Sequence, residues 1–398
     1  MLIAQHVKYN NFRGLGFVSN ASMYCIYTTD TTATGNTTNI TGNTFTNLSV
    51  SSGYLVLIAA NSVLGSNAIG NIDSNKTVGS LSFTGGAFVM ISEASSGISS
   101  LRSTISNNEL SNVTVLLAND VDFSVGGIVQ SSTAKEKRIE NNSITNIVQT
   151  KGIFYAIFFD HSANVAVDTL RITNNLVSDI AVNGIGNYGI VSYSGNSIKP
   201  VLVSNNQIKN LSLSRLIDTT ETIVAGIFIF PYSGSKGVIT KGNVINSLSS
   251  SIDSTIVSGV FILNINTGGG LEKNTINGNK IYDLSVTKPG ARVAGIYSYR
   301  YEPLNPFIGG RRINLYNNII GDLRAPASGN SSRPSVMGIS IENNTTKDTI
   351  DIYHNTIDLR ASSSNPAFSS TALYTDTLAR IWSYGNIFNN ISTPGAAG

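Results

Sequence analysis

The chain is 398 residues long and carries 26 Lys and Arg against 23 Asp and Glu, and its 12% of charged residues is about half the usual share. A net charge of +3 spread along the chain, with no long basic run, lacks the clustered cations that phosphate binding needs and excludes nucleic acid as the main partner. The single cysteine, Cys25, excludes an internal disulfide, and no stretch is long and apolar enough to span a bilayer.

From the N-terminus onward one short phrase returns twelve times, about 34 residues apart. One copy reads Ile139-Glu140-Asn141-Asn142-Ser143-Ile144-Thr145-Asn146-Ile147. The second member of its Asn/Gly pair falls at Asn10, Asn43, Lys76, Asn108, Asn142, Asn175, Asn206, Asn243, Asn279, Asn318, Asn355 and Asn386. Two residues later every copy is apolar, from Phe12 through Val78 to Phe388, and a second apolar column follows from Leu15 to Leu323, with Ile391 closing the run. The Asn355 copy slips, with Asp358-Leu359 arriving early. The residue before the anchor is Asn or Gly except at Tyr9 and His354, so each copy predicts strand, left-handed corner, strand. Stacked coils would then place the anchor asparagines in one hydrogen-bonded column, a structural role and not a ligand site.

A second series follows each corner, a small residue and then a branched or aromatic one. It runs from Cys25-Ile26, Gly53-Tyr54 and Ala87-Phe88 through Gly127-Ile128, Gly189-Ile190 and Gly259-Val260 to Ala372-Leu373. Cys25 therefore reads as a small buried residue. Strand-like apolar pairs recurring at a fixed coil length predict an all-β fold, a right-handed parallel β-helix solenoid of about twelve coils in one domain over 1–398. The array opens and stops without evident caps, so a segment of a longer chain is expected, its coil ends covered by more chain or by another subunit.

The Asn/Gly-Asn corners resemble the asparagine ladders of the right-handed parallel β-helix superfamily that includes pectate lyases and polygalacturonases. Coils of this length with strands such as Tyr188-Gly189-Ile190 resemble, more closely, the β-helical stretches of large secreted surface proteins of Bacteroidota, exported by type IX secretion. The resemblance covers nearly the whole chain and implies a secreted or cell-surface location. It carries no activity with it: the Asn-Thr-Asp, Asp-Asp, Gly-His-Gly and Arg-Ile-Lys strings of the polygalacturonases are all missing.

Chemistry must then come from residues on neighbouring coils. Four residues after the small residue stand Asp160, Tyr193, Phe230, Leu263, Tyr299, Glu342 and Asp376, which puts the carboxylates of Glu342 and Asp376 on adjacent coils. They could form an acid/base pair or hold a cation, though two solvated acids are the expected reading. His6, His161 and His354 are far apart in this register, and no metal or cofactor is implied. The better candidate is an outward aromatic strip through Phe158, Val191, Tyr193, Phe228, Phe230, Phe261, Tyr297 and Tyr299, next to the basic and aromatic stretch Tyr299-Arg300-Tyr301 and Arg311-Arg312. The candidate binding residues are Phe228, Phe230, Phe261, Tyr297, Tyr299, Arg300, Tyr301 and Arg311. An exposed strip of this kind contacts sugar rings or a partner; cover by long loops or another domain is the competing expectation.

The function expected from sequence is a noncatalytic structural or adhesive module of a secreted or cell-surface bacterial protein. It would bind glycan or a neighbouring domain along the strip. A polysaccharide lyase or glycoside hydrolase with a groove site, and a fibre subunit stacking head to tail, are the alternatives.

Overall fold

The fold is an all-β parallel solenoid. A computed structural model describes residues 6–18, 21–28, 31–32, 37–61, 63–64, 68–94, 101–117, 125–161, 169–194, 199–214, 222–231, 235–264, 272–300, 310–329, 332–342, 346–376 and 379–396. Each coil has three limbs, as in Val201–Ser204, Gln207–Leu213 and Ile223–Pro231. Equivalent limbs of successive coils pair in parallel, so Ile144 lies beside Val177, and Val177 beside Ile208, at 0% exposure. The sheet formed by the first limbs has 12 strands, one per phrase. The turns number about nine, and in the outermost coils the column residues Leu15 and Phe388 are exposed.

The corner prediction holds at the backbone. The residue before each ladder asparagine is left-handed in all copies, including the exceptions Tyr9 (φ 56°) and His354 (φ 56°). Asparagine side chains then run the length of the rod. Asn206 Oδ1 accepts from both the main-chain N–H (2.9 Å) and Nδ2 (3.0 Å) of Asn175, while Asn206 repeats both donations to Asn243 at 3.0 Å. Its Nδ2 also reaches back to the carbonyl of Ile172 at 3.0 Å. From Asn43 to Asn355 the ladder asparagines are buried, and each satisfies backbone groups that no water reaches.

Two register expectations need correction. The ladder residue of the third coil is Asn75, not Lys76: Asn43 Nδ2 donates to Asn75 Oδ1 at 2.8 Å, and Asn75 Nδ2 to Asn108 Oδ1 at 3.0 Å. Thr77 therefore pairs with Phe45 in the core column, and Val78 is exposed. The register shifts between Val78 and Leu81, after which Leu81 faces Leu48. One extra residue here lets the repeat be aligned from either side. In the small-residue series, Ile58 and Ile91 continue the column of Ile26 and Ile128. The small position in those coils is thus held by Leu57 and Met90, not by Gly53 and Ala87.

A second left-handed column was not foreseen. Four residues after the ladder asparagine, Asn47, Gly79, Asn112, Asn146, Asp179, Asn210, Ser247, Asp283 and Asp322 all have positive φ. This is why Asn, Asp, Ser or Gly stands at that place in these copies. Leu359 occupies it in the slipped copy, and there the chain stays extended as the strand Thr356–Leu359.

The small residues are set by packing across the coil. A Cβ on Gly259 would lie 2.4 Å from Ile281 Cγ2 and 2.8 Å from the Gly295 carbonyl oxygen. The same conflict joins Gly226 to Ile245 and Gly295 to Ile320. Cys25, expected as a small buried residue, is only half-buried against the core; desolvation still pushes its thiol up to about 11, which leaves little thiolate for chemistry near neutral pH.

Candidate functional site

The third limbs carry the site. Their inward residues, Ile157, Ile190, Ile227, Val260 and Ile296, stack in one column of the main core. Three columns face the other way: period-two alternation gives the second and third, and the first precedes the point where Ala156 and Ile157 both face the core. One holds Tyr155, Tyr188 and Ala225. The next holds Phe158, Val191, Phe228, Phe261 and Tyr297. The last holds Asp160, Tyr193 and Phe230.

The predicted strip is thus real as a set of neighbours, but much of it is not exposed. Phe228 is 9%, Phe261 3% and Tyr297 2% exposed, in a hydrophobic cluster separate from the main core, while Phe230 and Tyr299 are half-buried at its margin. The rings cover one another at strand spacing: Phe228 and Phe261 stack with centroids 5.2 Å apart, and Phe261 meets Tyr297 at 4.9 Å. At Tyr297 the Arg292 guanidinium adds a lid, 5.8 Å from the ring centroid. Burial drives the Tyr297 phenol well above its usual range, with the carboxylate of Glu342 adding to the shift.

The basic candidates are corrected more strongly. Arg300 and Arg311 are 0% and 1% exposed and do not form a binding surface. Both engage the buried carboxylate of Asp348: Arg300 through Nη2, and Arg311 through Nε at 3.3 Å. Arg311 also donates to Ser298 Oγ at 3.1 Å and to the Glu342 carbonyl at 2.9 Å. Desolvation pulls its guanidinium down to about 10 against the pull of Asp348. Tyr301 lies outside the described residues. The Glu342 and Asp376 pair is also not a pair of solvated acids. Glu342 is buried and holds Arg292 at 3.5 Å and Arg333 at 2.6 Å, so its charge is already matched.

Where the strip does open is at its other end. Tyr155, Phe158, Asp160, Tyr188, Val191, Tyr193, Phe228 and Phe230 line a groove of about 580 Å³. Val191 is the small member between Phe158 and Phe228, and it leaves the hollow that the larger rings frame. Tyr155 stacks on Tyr188 (5.3 Å, 17°), Tyr188 meets Phe228 edge-on (5.2 Å, 80°), and Tyr193 stacks on Phe230 (4.9 Å, 16°). Tyr155 and Tyr188 were missed from sequence, although Tyr before the small residue recurs. Strict alternation counted back from Phe158 sends Tyr155 inward; it faces out because Ala156 and Ile157 both face the core and break the alternation between them.

Beneath the groove lies an unusual interior charge. Lys137 is fully buried, donates from Nζ to the Asp160 carbonyl at 3.2 Å and sits 5.5 Å from the Phe159 ring centroid. Burial pulls it down to about 8, while Glu93 and then Asp160 pull the other way. Glu93, itself buried, is pushed up by desolvation.

No family model, no curated protein and no solved structure matches the chain. The functional reading therefore stands on the geometry and chemistry of the groove.

Proposed function

We propose that the chain is a noncatalytic β-solenoid module of a secreted or cell-surface protein that holds a glycan in its aromatic groove. Its likeness to pectate-lyase-like proteins and to Bacteroidota surface proteins is, on this reading, one of coil architecture. The observation that carries the proposal is the groove of about 580 Å³ walled by stacked aromatic rings. That volume falls in the range of small-molecule sites and accommodates a short run of sugar rings. Pyranose rings present apolar C–H faces, which pack against aromatic faces held in fixed orientation. A rigid sheet supplies that fixity, because each ring is anchored by a strand paired on both sides. The catalytic alternative loses its best carboxylate pair, since Glu342 is committed to two arginines.

The test is retention on a glycan array by the whole chain and by a Tyr155→Ala/Tyr193→Ala variant of unchanged melting behaviour. Retention of at least one glycan class, weakened roughly tenfold or more by losing the two rings, is expected. Equal retention by the variant and the parent would remove the groove from the reading.

A further inference from the structure

We infer that the groove selects sugars bearing a protonated amine, and that Asp160 makes the selection; this inference rests on the glycan-binding reading. Asp160 begins the column that continues as Tyr193 and Phe230, and it lines the groove among six aromatic side chains. Its Oδ1 is shielded from solvent, and among the described residues nothing donates a hydrogen bond to it. A carboxylate oxygen in that state is costly until a donor reaches it, and a cationic donor offsets the cost best. Lys137 does not fill this role: its charge is drawn to Glu93 before the Asp160 carboxylate, and its Nζ donates to the main-chain carbonyl of Asp160 rather than to Oδ1. The contrast with Glu342 on the same face is direct. There the chain itself supplies Arg292 and Arg333 to the carboxylate, and Arg292 covers Tyr297 as well. At Asp160 the corresponding cation comes from the ligand.

The rings point to the same ligand class. The faces of Tyr155, Tyr188, Tyr193 and Phe228 are electron-rich and attract an ammonium group while they pack on sugar C–H groups. A 2-amino-2-deoxyhexose meets both demands at once. Its N-acetylated form leaves Oδ1 without a charged partner, and a uronic acid is repelled by it.

Titration calorimetry of the whole chain with glucosamine tetramer, N-acetylglucosamine tetramer and a galacturonic acid tetramer tests this, alongside Asp160→Asn. The amine-bearing tetramer is expected to bind at least tenfold tighter than the acetylated one. Asp160→Asn should abolish that preference, lowering the affinity for the glucosamine tetramer at least tenfold to that of the acetylated one. The parent chain offers a second readout independent of the variant: raising salt from about 20 mM to about 200 mM should weaken only the amine-bearing tetramer. Equal binding of the charged and neutral tetramers, or a preference that survives Asp160→Asn, overturns selection by Asp160 and leaves the groove a glycan site. If no oligosaccharide of any class binds the folded chain, the glycan reading itself falls. A lysine-rich peptide that displaces the glucosamine tetramer at lower concentration overturns the assignment to a sugar.

Discussion

Two buried polar residues, Asn206 and Thr240, show how differently a side chain can sit in the same rod. Asn206 accepts two hydrogen bonds from Asn175 and donates to Asn243 and Ile172. Asn206→Ala strips the acceptor from two buried donors of Asn175, which should cost about 2–4 kcal/mol in a chemical denaturation experiment. Thr240 lies at 0% exposure in the column between Val203 and Ile276, and among the described residues its Oγ1 has no hydrogen-bond partner. Thr240→Val keeps the branched shape and removes the stranded hydroxyl, so it should raise stability by about 1–2 kcal/mol. A lowered denaturation midpoint for that variant would mean that the hydroxyl is bonded after all.

At the scale of the strand, the third limbs are built to the shape of the limb they face. A Cβ placed on Gly259 would come within 2.4 Å of Ile281 Cγ2, and one on Gly226 within 2.5 Å of Ile245 Cγ2. Gly259→Ala should therefore cost about 1–3 kcal/mol through overpacking, and Ile281→Ala, which removes the clashing Cγ2, about 2–5 kcal/mol through the void it leaves. Combined, the two changes relieve each other, and a double-mutant cycle should return a favourable coupling of at least about 0.5 kcal/mol. Strict additivity in that cycle would show that the two columns do not share space.

For the whole molecule, stability depends on how coils are tied to each other, since each touches only its neighbours. The ties differ greatly in worth. Arg300 and Arg311 meet Asp348 with both partners fully shielded, across three successive coils. Asp348→Asn removes the carboxylate that both buried guanidinium groups share and should destabilise the rod by about 3–5 kcal/mol. Arg312 and Asp351 are also 3.0 Å apart, but the arginine side chain is 52% exposed, and solvent screening holds that pair below about 1 kcal/mol. Thermal melts of Asp348→Asn and Asp351→Asn should therefore separate clearly. Similar losses in both would mean that the Asp348 cluster is hydrated rather than dry.

The twelvefold phrase by itself determined the parallel solenoid, the inward apolar columns and the asparagine ladder, because a residue repeated at one coil length must recur at one place on a stacked coil. It also located the aromatic neighbours, since alternation along a strand is a local property. Local pattern could not detect the extra residue after Val78, because either half of that coil aligns with the repeat. Nor could it tell outward from exposed. Phe261, Tyr297, Arg300 and Arg311 are buried by rings and ions brought from other coils, and the groove opens beside Tyr155 and Tyr188 because Val191 is smaller than the residues that flank it in its column. Exposure and cavity depend on side-chain volumes summed across coils, a quantity set only when the chain is stacked.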